Sequence, residues 1–522
     1  MDDEVCILLG VGGTGAKVVE AALVMMAAGI GPRNVHVGLI DQDQSNGNVA
    51  RTRVLLRSIS AFRDVWDKDK NANNCVDWAA SRKDPVTVGS VNVVPLFPDE
   101  DNALWCPEKN DAHLRSIIGS NLDDDRKKLF DLLFMRGPEE QDLPLGKGYR
   151  GRAHVGATAL VSAIIENESA LKARLRTLME DPNRRKVNVF VVGSAFGGTG
   201  AAGFPTLARA LHRLRSATDF TNRNNVTLGG MLMLPYFSFN DDKDGDGAAV
   251  VTSDELLPKA QLALEYYNNL FENERAFDHF YSLGWGNLFH LGYHEAGAAE
   301  QSNPALPPEL FAASAVFDFF ERAGSTPNQD EGTRVMVSAR HDYPIRWNDL
   351  PNGKMIEQHL GQFLRFAVYW NYIVEGMIDE TTGIFGLKKN WVQKLAQGAK
   401  AVDAEGQLGP LRNLIDQVIT WAATVEKTGG KQWAEGPWSL RDFVKVTDEP
   451  TKPVERLSEL SHDTVYDGFD RLVRFDSGEF VPRAGASLYN DLEGGRIDLQ
   501  NDSKGLGRAL ATVAKASSLR GE

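Results

Sequence analysis

Gly10-Val11-Gly12-Gly13-Thr14-Gly15 stands between two apolar runs, and the reading of this stretch decides the fold. Before it, Val5 to Leu9 is short and continuously apolar, the pattern of a strand covered on both faces. After it, Ala16 to Ala28 is rich in Ala, Val, Leu and Met and reads as a buried helix, ended by Gly29 and Gly31-Pro32. Val35 to Ile40 is a second apolar strand, closing in Asp41-Gln42-Asp43. This order is a βαβ unit, which implies a parallel sheet with a right-handed crossover. Gly10, Gly12 and Gly15 let the backbone turn sharply and approach a phosphate, while the helix N-terminus offers free N–H groups and a positive dipole end. The pattern fits a dinucleotide turn with Asp41 or Asp43 on a ribose; a tight turn without ligand is the plain alternative.

A second junction of the same kind follows downstream. Lys186 to Val192 is a buried strand that runs into Gly193-Ser194-Ala195-Phe196-Gly197-Gly198-Thr199-Gly200, and Phe204 to Leu214 is an apolar helix. Two such turns in one sheet can grip one polyphosphate from two sides, whereas a dinucleotide enzyme needs only one. Thr199 adds a hydroxyl that can donate to a phosphate oxygen. Val226 to Leu234 is a further strand, ending in Pro235-Tyr236-Phe237, and Leu283 to Tyr293 holds another. Helices are expected at about 156–180, 254–273, 309–323 and 355–378, with a more polar helical region beyond residue 400 and a short helix near 506–517. Residues 50–145 are mostly helical in pattern, with a strand at Val91 to Phe97, and part of them reads as an insertion.

Composition narrows the class. The chain has 522 residues, 42% apolar and 25% charged, with 57 Lys+Arg against 71 Asp+Glu and a net charge of −14. It is long enough for two or three domains, and its acidity argues against a general nucleic-acid binder. Cys6, Cys75 and Cys106 lie far apart and without CxxC spacing, so neither a disulfide framework nor a structural zinc site is expected. The start Met1-Asp2-Asp3-Glu4 is acidic where a signal peptide is basic, and no run of about eighteen apolar residues occurs; the expectation is a cytoplasmic protein without a transmembrane segment. A GxxxxGK[ST] loop, a GxSxG elbow and HExxH spacing are all missing.

Taken together, these motifs resemble the tubulin/FtsZ superfamily, and within it the divergent bacterial tubulin-like proteins. Ala195 to Gly203 resembles the signature GGGTGSG, with Phe196 replacing the first glycine, and Gly10 to Gly15 is similar to the first phosphate loop of FtsZ. Ile40 to Gln44 is similar to the INTDAQ-type loop, with Asp43 on its aspartate, and Gly148 to Gly156 resembles the loop that faces the terminal phosphate. Met233 to Phe237 is similar to the proline-bearing strand end, and Gln301-Ser302-Asn303-Pro304 to Glu309-Leu310 resembles the QxNP…EL segment of the divergent group. The likeness covers roughly residues 5–350.

The resemblance implies an α/β, mainly parallel-sheet nucleotide-binding domain over 1–275, a second region over 276–400 and a helical C-terminal extension over 401–522. It implies GTP/GDP with Mg2+, held by Gly10, Gly12, Gly13, Thr14, Gly15, Asp41, Asp43, Gly197, Gly198, Thr199 and Gly200, with Arg152 neutralising terminal-phosphate charge. Glu20 stands where an asparagine helps to read guanine and is a candidate substitute, or else a helix-surface charge. The helix at 254–273 takes the place of the long central helix, with Tyr266, Tyr267 or Asn268 near the base, or in the core. Asn303 and Glu309 match the loop that positions the attacking water across a subunit contact; the alternative for Glu309 is a helix N-terminal carboxylate. The implied protein is a GTPase that assembles head-to-tail with copies of itself, with further partners encoded nearby. A Rossmann-type NAD(P)- or FAD-dependent enzyme and a non-polymerising GTP switch or scaffold remain as alternatives.

Overall fold

Seven strands that run the same way lie side by side in the order β10-β8-β6-β5-β1-β2-β3, and an eighth, β4, pairs with β2 beyond the end of β3. The structure is a computed structural model. It describes residues 4–68, 91–100, 102–119, 122–137, 140–166, 169–180, 185–239, 253–291, 302–323, 333–340, 344–374, 404–433, 437–447, 449, 454–457 and 472. The first half runs β1 (Glu4–Val11), α1 (Gly12–Ala27), β2 (Asn34–Ile40), α2 (Gly47–Lys68), β3 (Asn92–Pro95), β4 (Leu104–Trp105), α3 (Leu114–Ile117), α4 (Asp124–Leu133), α5 (Ala153–Val161) and α6 (Ala170–Met179). Then come β5 (Lys186–Ser194), α7 (Thr199–Ser216), β6 (Val226–Met233), β7 (Phe237–Phe239), α8 (Ser253–Asn273), β8 (His279–Trp285), β9 (Phe289–Leu291), α9 (Pro307–Arg322) and β10 (Arg334–Arg340). The remainder holds α10 (Gly353–Tyr369), α11 (Ala404–Gly429), β11 (Val444–Val446) and β12 (Val454–Arg456).

The apolar runs follow from burial on both faces. In β1, Cys6 and Leu8 turn to one side, where α1, α2, α9, α10 and α11 pack. Val5, Ile7, Leu9 and Val11 turn to the other, where α5, α6 and α7 pack. Strand alternation forces this division, so a strand covered on both faces shows no polar positions. The order reverses at β1: the chain moves from β1 to β2 on one side and later returns to β5 on the other. Gly10 pairs with Val192 across that junction. Both glycine turns therefore leave the carboxyl ends of adjacent parallel strands, where open α/β sheets form their crevice.

Several elements differ from the sequence reading. The strand expected at Val91 to Phe97 is present as β3, which with α2 belongs to the main sheet and its packing; the sheet continues past residue 275 through β8 and β10. The single helix expected at 156–180 is interrupted by a wider turn at Ser162–Glu166, and α6 restarts behind Ser169, whose hydroxyl caps Lys172 N–H. The stretch Leu283 to Tyr293 contributes the end of β8 and β9; Tyr293, Cys75, Gln301 and the helix near 506–517 lie outside the described residues. α9 is buried from Pro307 to Phe320, whereas α8, the helix expected at 254–273, has one exposed face. In α8, among the residues whose side chains are described, Leu256, Ala260 and Tyr267 are buried, while Leu257, Leu262 and Tyr266 face solvent. Among the described residues no helix is long and apolar enough to cross a membrane.

Candidate functional site

Gly12 begins α1 with φ +71°, a conformation that strains any residue with a Cβ. A Cβ there would lie 2.9 Å from Gly200 N and 3.5 Å from Thr199 Cβ, so the two glycine turns touch. Close passage explains the neighbouring glycines: a Cβ on Gly15 would meet Val192 O at 2.7 Å, and one on Gly198 would meet Tyr149 Cβ at 2.8 Å. Gly197 is different. Its φ is +81°, yet no described residue lies within 4 Å of its Cβ position, so it borders open space among them. We expect Gly197→Ala to lower stability by only about 1–2 kcal/mol, the left-handed backbone term alone. A urea midpoint checks this; a several-fold larger loss would mean the position is packed.

Asp41 follows β2 and lies beneath the second turn. Its Oδ1 accepts the Thr199 hydroxyl at 2.9 Å and the Asp43 N–H at 3.2 Å. It is 3% exposed, and burial pushes its carboxyl up to about 7. Asp43 accepts the Ser45 N–H at 3.0 Å and the Ser45 hydroxyl at 2.7 Å through one oxygen. The loop at Gly148–Arg152 closes over both: a Cβ on Gly148 would be 3.2 Å from Asp43 Cβ. The Tyr149 hydroxyl is enclosed there without a hydrogen-bond partner among the described residues, and burial raises its phenol well above the ordinary range. Arg150 sits at φ +48°, uncommon for a non-glycine residue, with its Nε enclosed and without a hydrogen-bond partner among the described residues. Arg152 lies 3.8 Å from Glu140, which also meets His154 at 2.9 Å.

Three sequence candidates are engaged inside the protein. Glu309 is 1% exposed and ion-paired with Lys17, itself 2% exposed. Its two oxygens also accept the Tyr236 hydroxyl at 2.8 Å and the Leu306 N–H at 2.7 Å. Burial pushes the Glu309 carboxyl up and the Lys17 ammonium down; their contact pulls each back. Of the two sequence readings of Glu309, the helix N-terminal carboxylate is the one seen: it lies in the first turn of α9, accepts Leu306 N–H and joins α9 to α1 through Lys17. Glu20, the candidate guanine reader, gives both oxygens to Arg51 at 2.5 and 2.7 Å. Arg51 also donates to Ser302 Oγ and Asn303 O, each at 2.9 Å, so Asn303 is held by its backbone. Tyr267 donates to Ala201 O at 2.9 Å, tying α8 to the second turn; Tyr266 and Asn268 are exposed.

Sequence reading missed Asn46 and Asn48. A Cβ on Gly13 would lie 3.2 Å from Asn46 Nδ2 and 3.5 Å from Asn48 Nδ2, so the start of α2 adjoins the first turn. The signal was present as Ser45-Asn46-Gly47-Asn48 after the second strand, a helix-start pattern close behind Asp41 and Asp43. The N-termini of α1, α2 and α7 therefore gather at one end of the sheet, an arrangement suited to an anion. Among the described residues no group of three or more His, Cys, Asp or Glu side chains can hold a metal ion by itself. Compared with protein-family models, with curated proteins and with solved structures, the chain matches none.

Proposed function

We propose that the chain binds a nucleotide, its phosphates held between the Gly12–Gly15 and Gly197–Gly200 turns. The observation that carries this is the abutment of Gly12 on Gly200, with two long helices starting there from adjacent strand ends. The free space at Gly197 and the helix N-termini supply room and positive dipole ends. The finer reading, a guanine nucleotide, rests on the resemblance of these turns to those of tubulin and FtsZ. Mg2+ fits only as a cation bound chiefly by phosphate, with Asp41 or Asp43 as protein ligand, since no all-protein cage is present among the described residues. GTP hydrolysis and head-to-tail assembly extend the same reading, with the attacking water positioned by a neighbouring copy and not by the enclosed Glu309. A dinucleotide enzyme is less favoured, because Asp41, its ribose-holding residue, lies under Thr199.

The test is direct. Nucleotide released from the purified chain is identified by chromatography, and GTP, GDP, ATP and NAD are titrated into the stripped protein. We expect GTP and GDP to bind, and Thr199→Val to weaken them about tenfold, because it removes the hydroxyl that donates to Asp41 and holds it under the second turn. Binding of NAD with indifference to Thr199→Val would overturn the proposal. Pelleting and phosphate release with GTP then test assembly and turnover.

A further inference from the structure

We propose that Asn48 is a phosphate-binding residue, donating through its Nδ2 to the anion held at the first glycine turn while its Oδ1 holds Asn303. The inference rests on the nucleotide reading above and adds a ligand contact to it. Asn48 is 2% exposed on the second residue of α2. Its Oδ1 accepts the Asn303 N–H at 2.8 Å, which fixes the orientation of the amide. The Nδ2 end must then point the other way, toward Gly13, where it lies 3.5 Å from the Cβ position. No described residue accepts from that nitrogen. The amide is held by its acceptor half, and its donor half faces the helix N-terminus, where an anion can accept from it.

Asn46 fixes the start of this helix: its Oδ1 accepts the Asn48 and Val49 N–H groups at 3.0 and 3.4 Å, capping α2 beside Gly13. Beside Gly13 stand the Asn48 Nδ2 group and the N–H groups opening α1, donors without a fixed positive charge. Such a set selects an anionic oxygen. Lys17, the nearby ammonium, is ion-paired with Glu309. The second half of Asn48 gives the contact a further role. Asn303 is also gripped by Arg51, so an anion on Asn48 is bonded through one amide to the segment that leads into α9.

Two variants of the full-length chain separate ligand contact from scaffolding. Asn48→Asp keeps the oxygen that accepts from Asn303 and replaces the donor with an anion; Asn48→Ala removes both. A phosphate contact makes Asp the worse change: binding of GTP weakens about tenfold in Asn48→Ala and on the order of a hundredfold in Asn48→Asp. A purely structural role makes Ala the worse change and overturns the proposal. Calorimetric titrations use GTP, inorganic triphosphate and guanosine. We expect GTP and triphosphate to weaken in parallel and guanosine to be unaffected; loss confined to GTP and guanosine would assign Asn48 to the base and refute the phosphate contact. Wild-type chain that binds none of the three overturns the nucleotide reading, and this inference with it. Normal wild-type binding with unchanged variants overturns this inference alone.

Discussion

Glu309→Gln should destabilise the protein by about 3–5 kcal/mol, because it leaves the Lys17 ammonium buried without its counter-charge. The glutamine keeps one acceptor oxygen, for the Tyr236 hydroxyl, and turns an NH2 toward Leu306 N–H, so the loss combines the ion pair with that one hydrogen bond. Lys17→Met should be comparably harmful for the opposite reason, a carboxylate enclosed beside an apolar chain. The double variant should recover much of the stability, since neither charge then needs to be desolvated. Urea midpoints of the four proteins measure the coupling. The contrary result is also informative: Glu309→Gln that unfolds with wild type but abolishes GTP turnover would return Glu309 to a chemical role.

Asp41→Asn should stabilise the ligand-free protein at pH 8 by roughly 4 kcal/mol and flatten its pH dependence between about pH 4 and 7. The reasoning is one of proton linkage. Burial raises the carboxyl from 3.8 to about 7, so in this interval the folded chain holds a proton that the unfolded chain has released. The stabilisation is complete below about pH 4, is lost as pH rises through about 7, and is flat above that. Asparagine keeps an acceptor for the Thr199 hydroxyl and carries no charge to desolvate. The difference between wild-type and Asp41→Asn melting temperatures, taken at several pH values, isolates this residue from the other acids. Parallel curves would refute the assignment. A gain in stability together with weaker nucleotide binding would mark Asp41 as a residue held in an unfavourable environment for the sake of the site.

The sequence disclosed the strands that bear glycine turns, because complete burial leaves uninterrupted apolar runs and a tight turn leaves glycine. It did not disclose that β1 and β5 are neighbours; Gly10 opposite Val192 is a tertiary fact that no local pattern encodes. β10 was passed over because it is an edge strand with Val335 and Val337 60% and 70% exposed, and its ends are arginines. Glu20 and Glu309 were legible as carboxylates near the turns but not as partners of Arg51 and Lys17, since such pairs join elements distant in sequence. A lysine inside an otherwise apolar helix was the available hint: an enclosed ammonium requires an enclosed anion.

From Gly15 to Ala27, α1 has no residue facing water. It cannot tilt or slide without displacing the sheet and α9 together, so the wall beneath the first turn is rigid before any guest arrives. On the proposed nucleotide reading, adaptation to different guests falls to the opposite side, where Arg150 holds a backbone conformation that a small rearrangement would relax. Selectivity on that reading depends less on the rigid wall, which treats every guest alike, than on which guest lets the Gly148–Arg152 loop settle.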